Sequence, residues 1–141
     1  MYSRILVPTD FSKASVAAFK PAAAIASHFG SSLFLIHVAE ELPLFAYRIG
    51  VTEKELRERV TERAAAEMRK IARRLPVKPD ELLVRIGNVQ QELLRVVKER
   101  KIDLIVMGTH GRTGLAHAVV GSTAEKIVRL APCQVLTVKP R

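Results

Sequence analysis

Five short apolar runs, at residues 3–9, 32–39, 81–86, 102–108 and 134–138, alternate with longer stretches of helical period at 12–30, 53–75, 88–101 and 122–131. The runs are rich in Ile, Leu and Val and too short for helices of ordinary length, so they read as strands. The intervening stretches carry apolar stripes at steps of three or four residues. In the second, Leu56, Val60, Ala64, Met68, Ile71 and Leu75 share a face; in the third, Val89, Leu93, Val96 and Val97 do the same. Such stripes mark helices packed on one side. Pro21 lacks a backbone donor and is expected to kink the first helix or cap its start. Gly30 and Pro76 read as helix stops.

Strands that are apolar nearly throughout, each followed by a helix, imply a parallel sheet covered on both faces. Right-handed crossovers leave few topologies, and a three-layer α/β arrangement with an open five-stranded sheet in the order 3-2-1-4-5 is the expectation. In that order strands 1 and 4 are neighbours from which the chain winds away in opposite directions. Ligands bind such sheets just beyond the strand C-termini at that junction. This nominates Thr9 and Asp10 after strand 1, and residues 108–111 after strand 4.

Composition narrows the picture. With 141 residues, one domain over residues 1–141 is expected. No apolar stretch approaches the length of a membrane span, and residues 1–7 lack the pattern of a secretory signal. The single cysteine, Cys133, excludes an intrachain disulfide and points to a reducing compartment, so a cytoplasmic location is expected. Before an apolar strand it reads as a small buried hydrophobe. The formal charge of +9 raises the question of nucleic acid. Much of the basic charge lies in residues 54–74, interleaved with Glu53, Glu55, Glu58, Glu62 and Glu67. Glu53 with Arg57 and Glu55 with Arg59 have i,i+4 spacing, the pattern of a solvated helix face. No aromatics alternate with the cations to stack on bases. A nucleic-acid partner is therefore not expected, while a general attraction for anions is.

The stretch from Gly108 to Thr123 carries the most chemistry. It follows the most apolar strand and precedes a helix, with glycines at 108, 111, 114 and 121. Glycine lets backbone amides approach phosphate oxygens without an intervening Cβ, and a helix start attracts anions. Ser122 and Glu125 also have capping-box spacing, so a plain helix cap is the competing reading of that end. Asp10 equally has two readings, as a ligand-facing carboxylate or as a cap for the next helix. His110 and His117 are seven apart, off the common zinc spacings. His28 and His37 suggest no chemistry alone.

The pattern Gly108-x2-Gly111-x9-Gly121-Ser122, with Ile5-Leu6-Val7-Pro8-Thr9-Asp10-Phe11-Ser12 at the start, resembles the nucleotide-binding members of the universal stress protein family. Leu35-Ile36-His37-Val38, residues 103–108 and residues 133–138 resemble that family's second, fourth and fifth strands. The resemblance covers essentially the whole chain and implies an adenine-nucleotide-binding, Rossmann-like sheet. It implies that Gly108, Gly111, Gly121, Ser122 and Thr123 hold the triphosphate and ribose, with Met107 ending the strand beside them. Pro8, Thr9 and Asp10 would lie under the nucleoside, Asp10 accepting from a ribose hydroxyl or helping to hold a metal. Val38 would meet the adenine edge through its backbone, and His110 and Arg112 would sit in the loop, Arg112 near phosphate charge. The implied ligand is ATP, with magnesium or manganese as the metal. The resemblance also implies a homodimer through strand 5, at Val135, Leu136, Thr137 and Val138, where an apolar edge invites pairing. The implied role is a nucleotide-dependent sensor or regulator in stress response.

Three other readings compete with it. The chain has no Gly-x4-Gly-Lys-Ser/Thr phosphate loop and no His-x-Gly-His signature. With Asp10 and His110 as the only evident bases, at most weak, metal-assisted ATP hydrolysis is expected. A partner-binding module without nucleotide is disfavoured by the complete glycine pattern. A response-regulator receiver would need an aspartate ending strand 3, where this chain has Arg85-Ile86-Gly87.

Overall fold

The computed structural model describes residues 1–40, 50–109 and 120–140. Among these described residues the elements follow in chain order as β1 (Arg4–Pro8), α1 (Lys13–Val16), α2 (Phe19–Phe29), β2 (Ser32–Ala39), α3 (Glu53–Ala72), β3 (Glu81–Ile86), α4 (Val89–Glu99), β4 (Leu104–Gly108), α5 (Ser122–Leu130) and β5 (Gln134–Val138). All neighbouring strands pair in parallel, in the order β3-β2-β1-β4-β5, as the alternation of patterns required.

The sheet separates two apolar layers. Val7, Leu33, Leu35 and Val106 face a cluster that includes Phe19, Ala22 and Ala26 of α2 and Met68 of α3. Leu6, Phe34, Ile36, Ile105 and Met107 face Leu93, Val96 and Val97 of α4 and Ala124 and Ile127 of α5. The inner strand β4 is buried at every position, which explains why its sequence shows no polar alternation.

The expected first helix is two helices. Pro21 cannot donate to the carbonyl of Ala17 and its ring would crowd that carbonyl, so the chain breaks at Ala17–Ala18 and restarts with Pro21 in the first turn of α2. Gly30 then ends α2 in the left-handed conformation, φ 66°. On α3, Arg57 pairs with Glu53 at 3.1 Å as the spacing predicted. The second expected pair, Glu55 with Arg59, is corrected. Glu55 instead reaches back to the amide of Thr52 at 3.1 Å, while the Thr52 hydroxyl accepts from the amide of Glu55 at 3.1 Å. This capping box satisfies two otherwise orphan amides, which a solvated ion pair would leave open.

Candidate functional site

The C-terminal ends of β1, β2 and β4 and the start of α5 surround a cleft of about 650 Å³. That is the size range of small-molecule and cofactor sites. Of the residues nominated from sequence, Pro8, Thr9, Asp10, Val38, Met107, Gly108, Gly121, Ser122 and Thr123 all line it. His110, Gly111 and Arg112 lie outside the described residues, as do Gly114 and His117. Ile36, His37, Glu40, Val89 and Leu93 also line the cleft and were not nominated. Strand alternation past Ile36 could have flagged the β2 residues. In the sequence Val89 and Leu93 show only a core stripe, because a helix face that lines a cleft has the same apolar period as one that fills a core.

The β2 wall of the cleft has a defined polarity. The Ile36 carbonyl accepts from Thr9 N at 2.8 Å, and the Ala39 carbonyl accepts from Gly87 N at 2.9 Å. Peptide groups alternate in direction along a strand, so the N–H and C=O of Val38 point to the same side as those of Ile36. The regular pairing of β1 stops at Pro8 opposite Ile36, so Val38 presents a donor and an acceptor beyond the end of its neighbour. Its side chain is buried against the α4 layer.

The β1–α1 turn is tightly tied. Asp10 Oδ1 accepts from Ser12 N at 3.0 Å. Ser12 caps α1, its hydroxyl accepting from Ser15 N at 3.2 Å. Thr9 Oγ1 accepts from Phe11 N at 3.0 Å and lies 3.0 Å from Ser15 Oγ. Cap and ligand-facing readings of this turn are therefore compatible: Ser12 is the cap, and Asp10 orders the turn while remaining on the cleft wall.

The opposite wall corrects the cap expected at α5. Ser122 and Glu125 form no capping box. The N-cap is Gly121, with no side-chain bond to the first turn, and Ser122 is the first helical residue. Glu125 turns instead along the helix to Arg129, 2.5 Å away. The first intrahelical bond runs from Glu125 N to Gly121 O at 3.0 Å, so the amides of Ser122, Thr123 and Ala124 precede the ladder and find no acceptor within the helix. These three residues line the cleft. Gly121 is fixed in turn by its own amide, which donates to Thr109 O at 2.6 Å.

Gly108 lacks a side chain for a reason different from the one read in the sequence. A Cβ there would lie 2.5 Å from Ala14 O and 2.9 Å from its carbonyl carbon, so the residue allows α1 to pack on the end of β4. The close approach at this glycine is to protein backbone.

Among the described residues the carboxylates Asp10 and Glu40 line the cleft. Among the described residues no group of three or more His, Cys, Asp or Glu could hold a metal. Nor is any described helix long and apolar enough to cross a membrane. Away from the cleft, Arg100 hydrogen-bonds Glu81 at 2.8 Å and holds its carboxyl below the usual carboxylate range. Burial pushes the Cys133 thiol up, and the nearby Asp103 charge adds to it.

A family model described as the universal stress protein family matches residues 1–139. A universal stress protein of Methanocaldococcus jannaschii is 30% identical, with 99% of this chain and 96% of that protein aligned. Its solved structure superposes with a TM-score of 0.84 over 100% of this chain and 98% of that one. A universal stress protein from Lactobacillus plantarum superposes at 0.79 with 28% identity, covering 97% of each chain. A universal stress protein solved in complex with cAMP shares the fold, with a TM-score of 0.69, 24% identity and 99% and 98% coverage. The family model spans residues 1–139 and the Methanocaldococcus jannaschii relative aligns over 99% of the chain, so the chain belongs to the universal stress protein family.

Proposed function

We propose that this chain binds ATP in the cleft between β1, β2, β4 and α5 and acts as a cytoplasmic, nucleotide-dependent sensor or regulator in stress response. The observation that carries the reading is the α5 start. Three amides without intrahelical acceptors, at the positive end of a helix dipole, line a cleft whose far wall presents the Val38 backbone pair. One end suits phosphate and the other suits the donor and acceptor edge of adenine. Val89, Leu93 and Met107 give the space between them an apolar side on which a base can lie. The relative solved with cAMP holds an adenine nucleotide on the same fold, which supports the choice of base.

In this reading Gly121, Ser122 and Thr123 bind the phosphates, together with Gly108, Gly111, His110 and Arg112 in the β4–α5 connection. Pro8, Thr9 and Asp10 lie under the ribose. Among the described residues no cluster of donors builds a metal site; in this reading magnesium or manganese arrives with the nucleotide and screens its phosphates, with Asp10 the carboxylate near them. Asp10 is the one candidate base from the sequence that the described residues place on the cleft wall, and with no phosphate-loop lysine in the chain this reading gives at most weak hydrolysis. The whole chain acts as one domain, and two copies pair through Val135, Leu136, Thr137 and Val138 of β5. That strand is an edge of the sheet, and Leu136 on it is exposed.

Acid extraction of the purified protein, with identification of any nucleotide released, tests this reading together with a melting curve in ATP. Ligand at a hundred times its Kd stabilises the folded state by about 2.7 kcal/mol, and the melting temperature should rise by about 5–10 °C. No nucleotide in the extract and an unchanged melting curve in millimolar ATP would remove the proposal.

A further inference from the structure

We infer that His37 is a positioning residue for the nucleotide site: from β2 it locks the turn that carries Asp10. The ligand consequence rests on the ATP reading, but the structural device can be tested without ligand.

His37 Nδ1 lies 2.8 Å from the carbonyl oxygen of Thr9. A carbonyl can only accept, so Nδ1 carries the proton and the imidazole donates. That carbonyl belongs to the peptide joining Thr9 to Asp10, and fixing its plane fixes where the Asp10 amide and Cα begin. The same ring stacks on Phe11, with centroids 4.5 Å apart and planes inclined by 31°. Phe11 has φ 66°, a left-handed conformation that a bulky residue keeps only where its surroundings enforce it. His37 therefore grips the residues on both sides of Asp10.

The other constraints on the turn converge on Thr9. Its amide donates to Ile36 O at 2.8 Å, and its hydroxyl accepts from Phe11 N at 3.0 Å. Ser15 Oγ donates to Ser12 O at 3.0 Å, so in the Thr9–Ser15 contact the threonine hydroxyl supplies the proton. Thr9 and Ser15 are 6% and 7% exposed, so water has little access to replace a lost bond. Among the described residues His37 adds a side-chain tie from β2 to this chain of bonds. It also adjoins Val38, whose backbone faces the cleft. Neighbouring positions of one strand thus present the base-facing groups and hold the carboxylate turn, which couples the two halves of the site.

The test compares the parent with His37→Leu and His37→Asn, each alone and with Asp10→Asn. His37→Leu keeps bulk but removes the donor; His37→Asn keeps an N–H at a similar distance from the backbone. ATP affinity should fall about tenfold in His37→Leu, as expected for a buried carbonyl left without its donor. His37→Asn should recover most of it. In the Asp10→Asn background the His37→Leu effect should shrink below about twofold, because the carboxylate it positions is gone. Without nucleotide, hydrogen exchange at the Ser12 amide, which Asp10 holds, should accelerate in His37→Leu and return towards the parental rate in His37→Asn. Parental ATP affinity with parental Ser12 exchange in His37→Leu would overturn the inference. So would equal losses in both Asp10 backgrounds, which would make His37 an independent contact. Should the parent bind no ATP, the functional proposal fails while the exchange comparison still decides the role of His37. Should His37→Leu not fold, parental affinity and Ser12 exchange in Phe11→Leu, which loses the ring stack alone, would overturn the inference.

Discussion

Gly108 and Gly121 stand at the two ends of the same connection, and a side chain added to each should do different damage. At Gly108 an added methyl meets the Ala14 carbonyl oxygen at 2.5 Å, so Gly108→Ala should destabilise the protein by about 1–3 kcal/mol as α1 is pushed off β4. Denaturant unfolding of the two proteins checks this, and equal midpoints would contradict the packing role. At Gly121 the backbone sits at φ −60° and ψ 156°, a conformation open to valine, so Gly121→Val should fold. Its cost should fall on the ligand. Cys133 provides a third residue-scale expectation. Burial holds its thiol above the usual range, so little thiolate forms near neutral pH. Alkylation by iodoacetamide at pH 7 should be slower than for an exposed cysteine peptide and should rise steeply at higher pH. A rate equal to the peptide's would show that β5 opens readily. At this scale the sequence was partly legible. The glycine spacing marked the β4–α5 connection, whose described ends Gly108 and Gly121 both line the cleft, but it could not show that Gly108 also makes room for α1. That role lies in which backbone approaches, and Ala14 is distant in sequence from Gly108.

Two helix starts with the same sequence signature behave differently. Thr52-Glu-Lys-Glu55 closes a capping box, whereas Ser122-Thr-Ala-Glu125 does not, because α5 starts one residue earlier at Gly121 and Glu125 joins Arg129. Thr52→Ala should therefore cost about 1 kcal/mol. Ser122→Ala, at an exposed first helical position without a cap, should stay within about 0.5 kcal/mol. Thermal unfolding of both variants decides this, and equal losses would restore Ser122 as a cap. The spacing of residue types announces that a helix begins nearby, but not which residue becomes its N-cap. Pro21 shows the opposite case. Its missing amide made a break or a cap inevitable, and only the place of the break, at Ala17–Ala18, needed the structure.

For the whole molecule, the order of apolar strands and striped helices carried the topology, because a parallel sheet with right-handed crossovers leaves few arrangements for five strands. It carried the location of the cleft for the same reason. The lining from α4 was hidden, since those residues reach the cleft only through the crossover from β3, whereas His37 reaches it through the overhang of β2 past β1, which strand alternation could have flagged. The edge position of β5 leads to the assembly prediction. Leu136→Lys places a charge on an exposed edge residue and should shift a dimer to monomer in sedimentation velocity. A parent that sediments as a monomer at high micromolar concentration would contradict pairing there. If phosphate sits at the start of α5, calorimetric titration of ATP into the parent and Gly121→Val, side by side, will separate the two proteins. One saturable site per chain is expected in the parent, and no detectable binding to a folded Gly121→Val. No heat of binding to the parent at millimolar ATP, or parental affinity in the folded variant, would contradict that placement of phosphate.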